Sequence, residues 1–191
     1  MEIGLFFGSF NPIHIGHLAI ANYLLEFGNL DKIWLIVSPH NPLKKEETLL
    51  DENERYKMVE LALNSDLQIL PSDIEFKLPK PSYTIDTLKF IDQKNPDYDL
   101  RLIIGSDNLE SFNQWKNYDT ILRDYKLIVY PRAGFGLGKY NNHPNVKLID
   151  APEMDISSSF IRESIKKGKN VRYFLPCNVN DYILKNHFYE K

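Results

Sequence analysis

Six short runs of apolar, β-branched or aromatic residues mark the chain, at positions 2–7, 32–38, 67–70, 100–104, 126–130 and 146–149. Several are apolar at consecutive positions, as in Ile33-Trp34-Leu35-Ile36-Val37, so both faces of the strand need cover. Parallel strands sandwiched between helices read this way. Helical spacing fills most of the intervals. Leu18, Ala21 and Leu25 share one face ahead of Gly28, where a left-handed turn can end the helix. Asp51 and Glu54 have N-cap spacing before Tyr56, Val59 and Leu63, and Ile85, Leu88 and Ile91 follow a start near Thr84. Ile161 and Ile165 lie between a capping Ser157 or Ser158 and a stop at Gly168, while Asn178 and Asp181 open a last helix around Tyr182 and Ile183. Strands alternating with helices imply an α/β fold: a doubly wound, Rossmann-like parallel sheet flanked by helices, with a small C-terminal helical segment. No internal repeat and no long linker interrupts the pattern, so residues 1–191 read as a single domain.

In such a sheet, chemistry belongs beyond the carboxyl ends of the strands, near the point where strand order reverses. After the first strand comes Gly8-Ser9-Phe10-Asn11-Pro12-Ile13-His14-Ile15-Gly16-His17. After the second comes Pro39-His40-Asn41-Pro42-Leu43-Lys44-Lys45, and after the fourth Gly105-Ser106-Asp107-Asn108. Pro131-Arg132 follows the fifth strand, and Ile156-Ser157-Ser158-Ser159-Phe160-Ile161-Arg162 follows the sixth after a short loop. Imidazoles, cations, hydroxyls and glycines therefore gather at one edge of the sheet. That is the chemistry of an anion site.

Composition narrows the partners. The 191 residues carry 23 Lys+Arg against 26 Asp+Glu, a formal charge of −3, so no global field draws in nucleic acid or an anionic membrane. With 43% hydrophobic and 13% aromatic residues the chain is too apolar for disorder. Cys177 is the sole cysteine, which excludes an internal disulfide and an all-cysteine metal site. The N-terminus has an acidic second residue, and Asn11-Pro12 breaks its apolar stretch, so it does not read as a secretory signal. No apolar run nears the roughly 20 residues of a membrane span. A cytoplasmic protein of small-molecule substrates is expected, with homo-oligomerisation left open.

If a helix begins near Gly16, its unpaired N–H groups and positive dipole end face what the imidazoles face, and glycine lets a phosphate approach the backbone. Either histidine alone also reads as a cap or a packed core residue. A zinc pair would need further ligands that the spacing does not supply. In the serine run, hydroxyls and N–H groups at a helix start suit phosphate oxygens, and Arg162 offers a bidentate fork. By itself that run reads equally as an N-cap with a surface arginine.

Together these stretches resemble the nucleotidyltransferase superfamily with the His-x-Gly-His element, and most closely its bacterial nicotinate-nucleotide adenylyltransferases. The likeness runs nearly end to end. It takes in Gly8 to His17 and Ile156 to Arg162, Arg55, Pro81-Ser82-Tyr83-Thr84-Ile85-Asp86-Thr87-Leu88, Ile104-Gly105-Ser106-Asp107, Trp115-Lys116, and Val171-Arg172-Tyr173-Phe174-Leu175-Pro176. Position 11 is Asn where Asp is commoner, and position 9 is Ser rather than Thr. The order after the second strand differs from many relatives, which leaves the role of His40 open.

The resemblance implies transfer of the adenylyl group of ATP to nicotinate mononucleotide in NAD biosynthesis. Another acceptor, such as nicotinamide mononucleotide or phosphopantetheine, and a nucleotide sensor without turnover are the alternatives. It further implies His14, His17, Lys44 and Arg162 as catalytic residues. Gly8, Ser9, Phe10, His14, Gly16, His17, Gly105, Asp107, Ile156, Ser157, Ser158, Ser159 and Arg162 would bind ATP. Ser9, Phe10, Lys44, Tyr83, Thr84, Trp115 and Lys116 would bind nicotinate mononucleotide. Mg²⁺ would be held mainly by ATP phosphates, with no protein metal ligand expected. Gly134-Phe135-Gly136-Leu137-Gly138-Lys139 imitates a phosphate loop, but no helical pattern follows it and its glycine spacing is short for a Walker motif, so it reads as a mobile surface loop.

Overall fold

The computed structural model describes residues 1–39 and 49–190. Its strands are β1 (Glu2–Gly8), β2 (Lys32–Val37), β3 (Ile69–Ser72), β4 (Asp99–Gly105), β5 (Lys126–Tyr130) and β6 (Val146–Leu148). They form one sheet of order β3-β2-β1-β4-β5-β6 in which every pairing is parallel. Around it lie α1 (Ile15–Phe27), α2 (Glu52–Leu63), α3 (Thr84–Lys94), α4 (Ser106–Glu110), α5 (Tyr118–Asp124), α6 (Ser158–Lys166) and α7 (Cys177–Lys185). This is the doubly wound sheet that the alternation of strands and helices predicts.

Side chains alternate between two cores. Phe6, Leu35, Ile103 and Ile128 pack with Ile20 and Leu24 of α1, Met58 of α2, Ile161 of α6 and Ile183 of α7. Leu5, Ile36, Leu102 and Val129 point the other way, onto Leu88 of α3, Leu109 of α4 and Ile121 of α5. The consecutive apolar positions of the strands are thus spent on two separate helix layers. Strand order reverses between β1 and β4, so the crevice lies beyond Gly8 and Gly105.

The structure corrects the sequence reading in several places. Gly28 ends α1 with φ −94°, and the left-handed residue is the next one, Asn29, at φ 55°. β3 starts two residues later than the apolar run, because Asp66 Oδ1 accepts the N–H groups of Gln68 and Ile69 and leaves Leu67 81% exposed. It runs through Pro71, which is tolerated because β3 is an edge strand. In α2, Asp51 caps through the Asn53 N–H as expected, but Glu54 accepts the Tyr182 hydroxyl at 2.6 Å instead of closing a capping box. α7 starts one residue before Asn178, with Pro176 at its N-cap.

Candidate active site

The loop between β1 and α1 is held from several directions. Phe10 takes a left-handed φ of 44°, and its ring is buried at 1% exposure against Phe6 and edge-on to His17. Any substrate contact by Phe10 must therefore be through its main chain. Asn11 accepts at its side-chain oxygen from the Leu50 N–H and the Tyr189 hydroxyl. The small polar side chain at position 11 is thus part of the loop's wiring, while Ser9 takes part through its carbonyl, which accepts from Arg55.

His14 stands at the N-cap of α1, buried at 2% exposure, with its ring stacked on His17 at 3.7 Å between centroids. The His14 N–H donates to Nδ1 of His17 at 3.3 Å, which places the proton of a neutral His17 ring on Nε2. Gly16 is what lets the motif close up: a Cβ there would meet the His14 ring at 3.1 Å and Ile156 at 3.5 Å. A narrow cleft lined by His14, Gly16, His17, Tyr130, Arg132 and Ile156 opens beside this stack.

The serine motif joins the same loop. Ser157 caps α6 by accepting the Phe160 N–H at 3.1 Å. Ser158 donates its hydroxyl to the Pro12 carbonyl at 2.9 Å, and Arg162 donates from Nη1 to the Asn11 carbonyl at 2.8 Å and from Nη2 to Ser159 Oγ at 3.4 Å. Segments about 150 residues apart in the chain therefore meet at the start of α1. The Ser158 hydroxyl and the Phe160 N–H are already spent, so this helix start has the N–H groups of Ser158 and Ser159 and the remaining donors of Arg162 to offer an anion.

Across the reversal point, Asp107 lies in the first turn of α4, with one carboxylate oxygen buried and unpartnered. A Cβ on Gly105 would collide with that oxygen, so the glycine sets how closely Asp107 folds back over the strand end. Arg132, placed by the sequence at the end of β5 but given no role there, is the main addition. Its backbone N–H donates to Ser106 Oγ, Nη1 donates to the Met154 carbonyl at 2.9 Å, and its guanidinium lies 5.5 Å from the Tyr130 ring. Its Nε is buried without a partner, in the wall of the cleft. Position at a carboxyl strand end was the available signal.

The predicted acceptor residues form a second group. Lys116 Nζ pairs with Asp86 of α3 at 2.9 Å and sits 4.5 Å over the Tyr83 ring. This brings the Trp115-Lys116 segment onto the start of α3, where Tyr83 is the N-cap and Thr84 the first helical residue. Trp115 is half-buried against Phe112, with ring centroids 5.3 Å apart. Tyr140, at the end of the glycine-rich loop, is buried edge-on to Phe112, so that end of the predicted surface loop is anchored. Lys44 and His40 lie outside the described residues.

His14 carries a pH signature. Burial first, and then the positive field of Arg132, lower its pKa from 6.5 to about 4. The unfolded chain takes this proton near pH 6.5 and the native protein only near 4, so in that window unfolding binds a proton and stability falls as pH falls. The expected loss across the window approaches ~3 kcal/mol. Urea unfolding of the wild type and of His14→Gln should show a flatter acid limb for the variant; equal limbs would place the titration elsewhere.

Residues 5–164 match the model of the cytidylyltransferase-like family. A protein of Flavobacterium johnsoniae named "probable nicotinate-nucleotide adenylyltransferase" is 51% identical over 193 residues, covering 100% of both chains. One of the same name from Bacteroides fragilis is 49% identical, covering 91% of this chain and 87% of its own. The fold is shared with the nicotinic acid mononucleotide adenylyltransferase of Plasmodium falciparum complexed with NaAD, at TM-score 0.84 and 21% identity, covering 99% of this chain and 97% of the other.

Proposed function

The chain belongs to the cytidylyltransferase-like family, and from that premise we propose that it is a nicotinate-nucleotide adenylyltransferase working as one domain in the cytoplasm. It transfers the adenylyl group of ATP to nicotinate mononucleotide, releasing pyrophosphate and forming nicotinate adenine dinucleotide for NAD biosynthesis. The observation that carries the reading is the union of the two motifs, Ser158 to Pro12 and Arg162 to Asn11, beside the stacked His14 and His17.

The attacking group is a substrate phosphate oxygen, already ionised at neutral pH, so the chain needs no general base. Its work is to align two anions and to stabilise charge growing toward the leaving pyrophosphate. His17, with its ring proton on Nε2, donates to the α-phosphate oxygens. His14, kept neutral by burial, offers a hydrogen bond to the triphosphate without a standing charge. Arg162 and the first-turn N–H groups of α6 receive the β and γ oxygens, Lys44 neutralises the phosphates as they meet, and Arg132 adds a cation at the cleft wall. Gly105 and Asp107 border the adenosine. Trp115 gives the pyridine ring a face, while Thr84, the open N-terminus of α3 and the main chain at Lys116 take its carboxylate.

Among the described residues no group of three or more His, Cys, Asp or Glu is placed to hold a metal ion. Mg²⁺ fits as an ion carried by the nucleotide, through the triphosphate oxygens and water. When bound it supplies neutralising charge on the triphosphate. An acceptor panel of nicotinate mononucleotide, nicotinamide mononucleotide, phosphopantetheine and FMN, read by pyrophosphate release, tests the proposal. The first should dominate; preference for another acceptor would reassign the pocket, and ATP binding with no release under any acceptor would leave a sensor.

A further inference from the structure

Glu75 is a carboxylate buried at 2% exposure, in a single 3-10 turn (Ile74–Lys77) between β3 and α3. Its partners are hydroxyls. Oε1 accepts from Thr87 at 2.8 Å, Oε2 from Ser82 at 3.1 Å, and Ser38, just past the end of β2, hydrogen-bonds it as well. Burial pushes its pKa up against those three donors. A buried carboxyl so held brings little stability over an apolar side chain of the same volume; what its hydrogen bonds supply is a geometric constraint.

The constraint falls on one place. Ser82 and Thr87 flank the N-terminus of α3, and Ile85 between them is fully buried. Asp86 grips Lys116 on the outside of the same turn. Thr84 and Tyr83 carry the hydroxyls of the Ser-Tyr-Thr-Ile-Asp-Thr run that Glu75 does not engage, and Thr84 is the one in the first turn of the helix. Two polar clamps, Glu75 within and Asp86–Lys116 without, thus fix the turn that presents Thr84 and the open N–H groups.

We propose that Glu75 is a positioning residue for the acceptor: by tying α3 to the end of β2 it sets the depth and rotation of the helix start that receives the pyridine carboxylate. This rests on the function proposed above. Glu75→Gln keeps the volume but turns one acceptor into a donor facing a hydroxyl. KM for nicotinate mononucleotide should rise ~10-fold while KM for ATP stays within about twofold, because only the acceptor's carboxylate is displaced. Amide hydrogen exchange at residues 84–88 should quicken while that of α1 does not. Thr87→Val, which removes one donor and leaves Glu75 in place, should give the same split to a smaller degree, and it decides the matter if Glu75→Gln does not fold. An unchanged acceptor KM, or equal rises in both KM values, overturns the role of Glu75 alone. Failure of the wild type to use nicotinate mononucleotide overturns the function, and the acceptor role with it.

Discussion

Replacing His17 by alanine is expected to lower kcat/KM for adenylyl transfer about 100-fold or more, with the protein still folded. The ring is only partly buried, resting edge-on against Phe10 at 5.1 Å and Phe6 at 6.3 Å, so its removal trims the rim of the core instead of opening a hole within it. What is lost is a donor aimed where charge develops. His17→Gln, which can carry an N–H to about the position of Nε2, should recover part of the loss; His17→Ala should not. The check is steady-state kinetics beside a thermal melt. A loss below ~10-fold, about 1.4 kcal/mol, would remove His17 from the chemistry. A comparable loss of stability would make it a packing residue.

The fold was legible because a parallel sheet covered on both faces writes itself as uninterrupted apolar runs. β4 and β5 fall where Leu100 to Ile104 and Lys126 to Tyr130 put them, each within one residue at either end. The edge strand was harder to place, since Asp66 turns Leu67 out to solvent and Pro71 looks like a stop. α4 and α5, at five and seven residues, are too short to display a helical period, and no strand-to-strand spacing announces them.

The candidate site was legible at its motifs and illegible in its wiring. Spacing put His14, Gly16 and His17 at a helix start, and the serine run at another. It could not say that Ser158 is consumed by the Pro12 carbonyl, or that Arg162 reaches Asn11, because those partners lie about 150 residues away. Arg132 shows only its place after a strand, and Glu75 carries no local pattern at all. One follows a strand like any surface arginine, and the other sits in a charged stretch between Ile74 and Lys77. Only tertiary packing shows that the first lines the cleft and that the second is buried.

The family resemblance takes in Arg55 without saying what it holds, and removing it should have the largest effect on stability. In sequence it is one charged residue of a charged helix; in the structure it is 1% exposed and donates to four backbone carbonyls. Nε reaches Leu50 at 2.8 Å, Nη1 reaches Ser9 at 2.6 Å and Ser38 at 2.7 Å, and Nη2 reaches Pro39 at 2.9 Å. One guanidinium therefore fixes the loop after β1, the chain as it leaves β2, and the entry to α2. Burial lowers its pKa, while the fields of Tyr189, Glu52 and Asp51 work the other way. Arg55→Met leaves four carbonyls without their charged donor, and at ~1–3 kcal/mol for each buried group left unsatisfied the loss should exceed ~4 kcal/mol even after relaxation. That is a large share of the ~5–15 kcal/mol that holds a domain together. Arg55→Lys retains the charge but offers three donors on a single atom, which cannot span carbonyls arranged around a planar fork; it should lose ~2–3 kcal/mol. The exposed Lys57–Glu60 and Lys77–Asp73 pairs should each cost less than ~1 kcal/mol when broken. Urea unfolding of all four variants should reproduce that order. An Arg55→Met variant within ~1 kcal/mol of wild type would mean that these carbonyls find other partners, and that the loop bearing His14 does not depend on Arg55 for its shape.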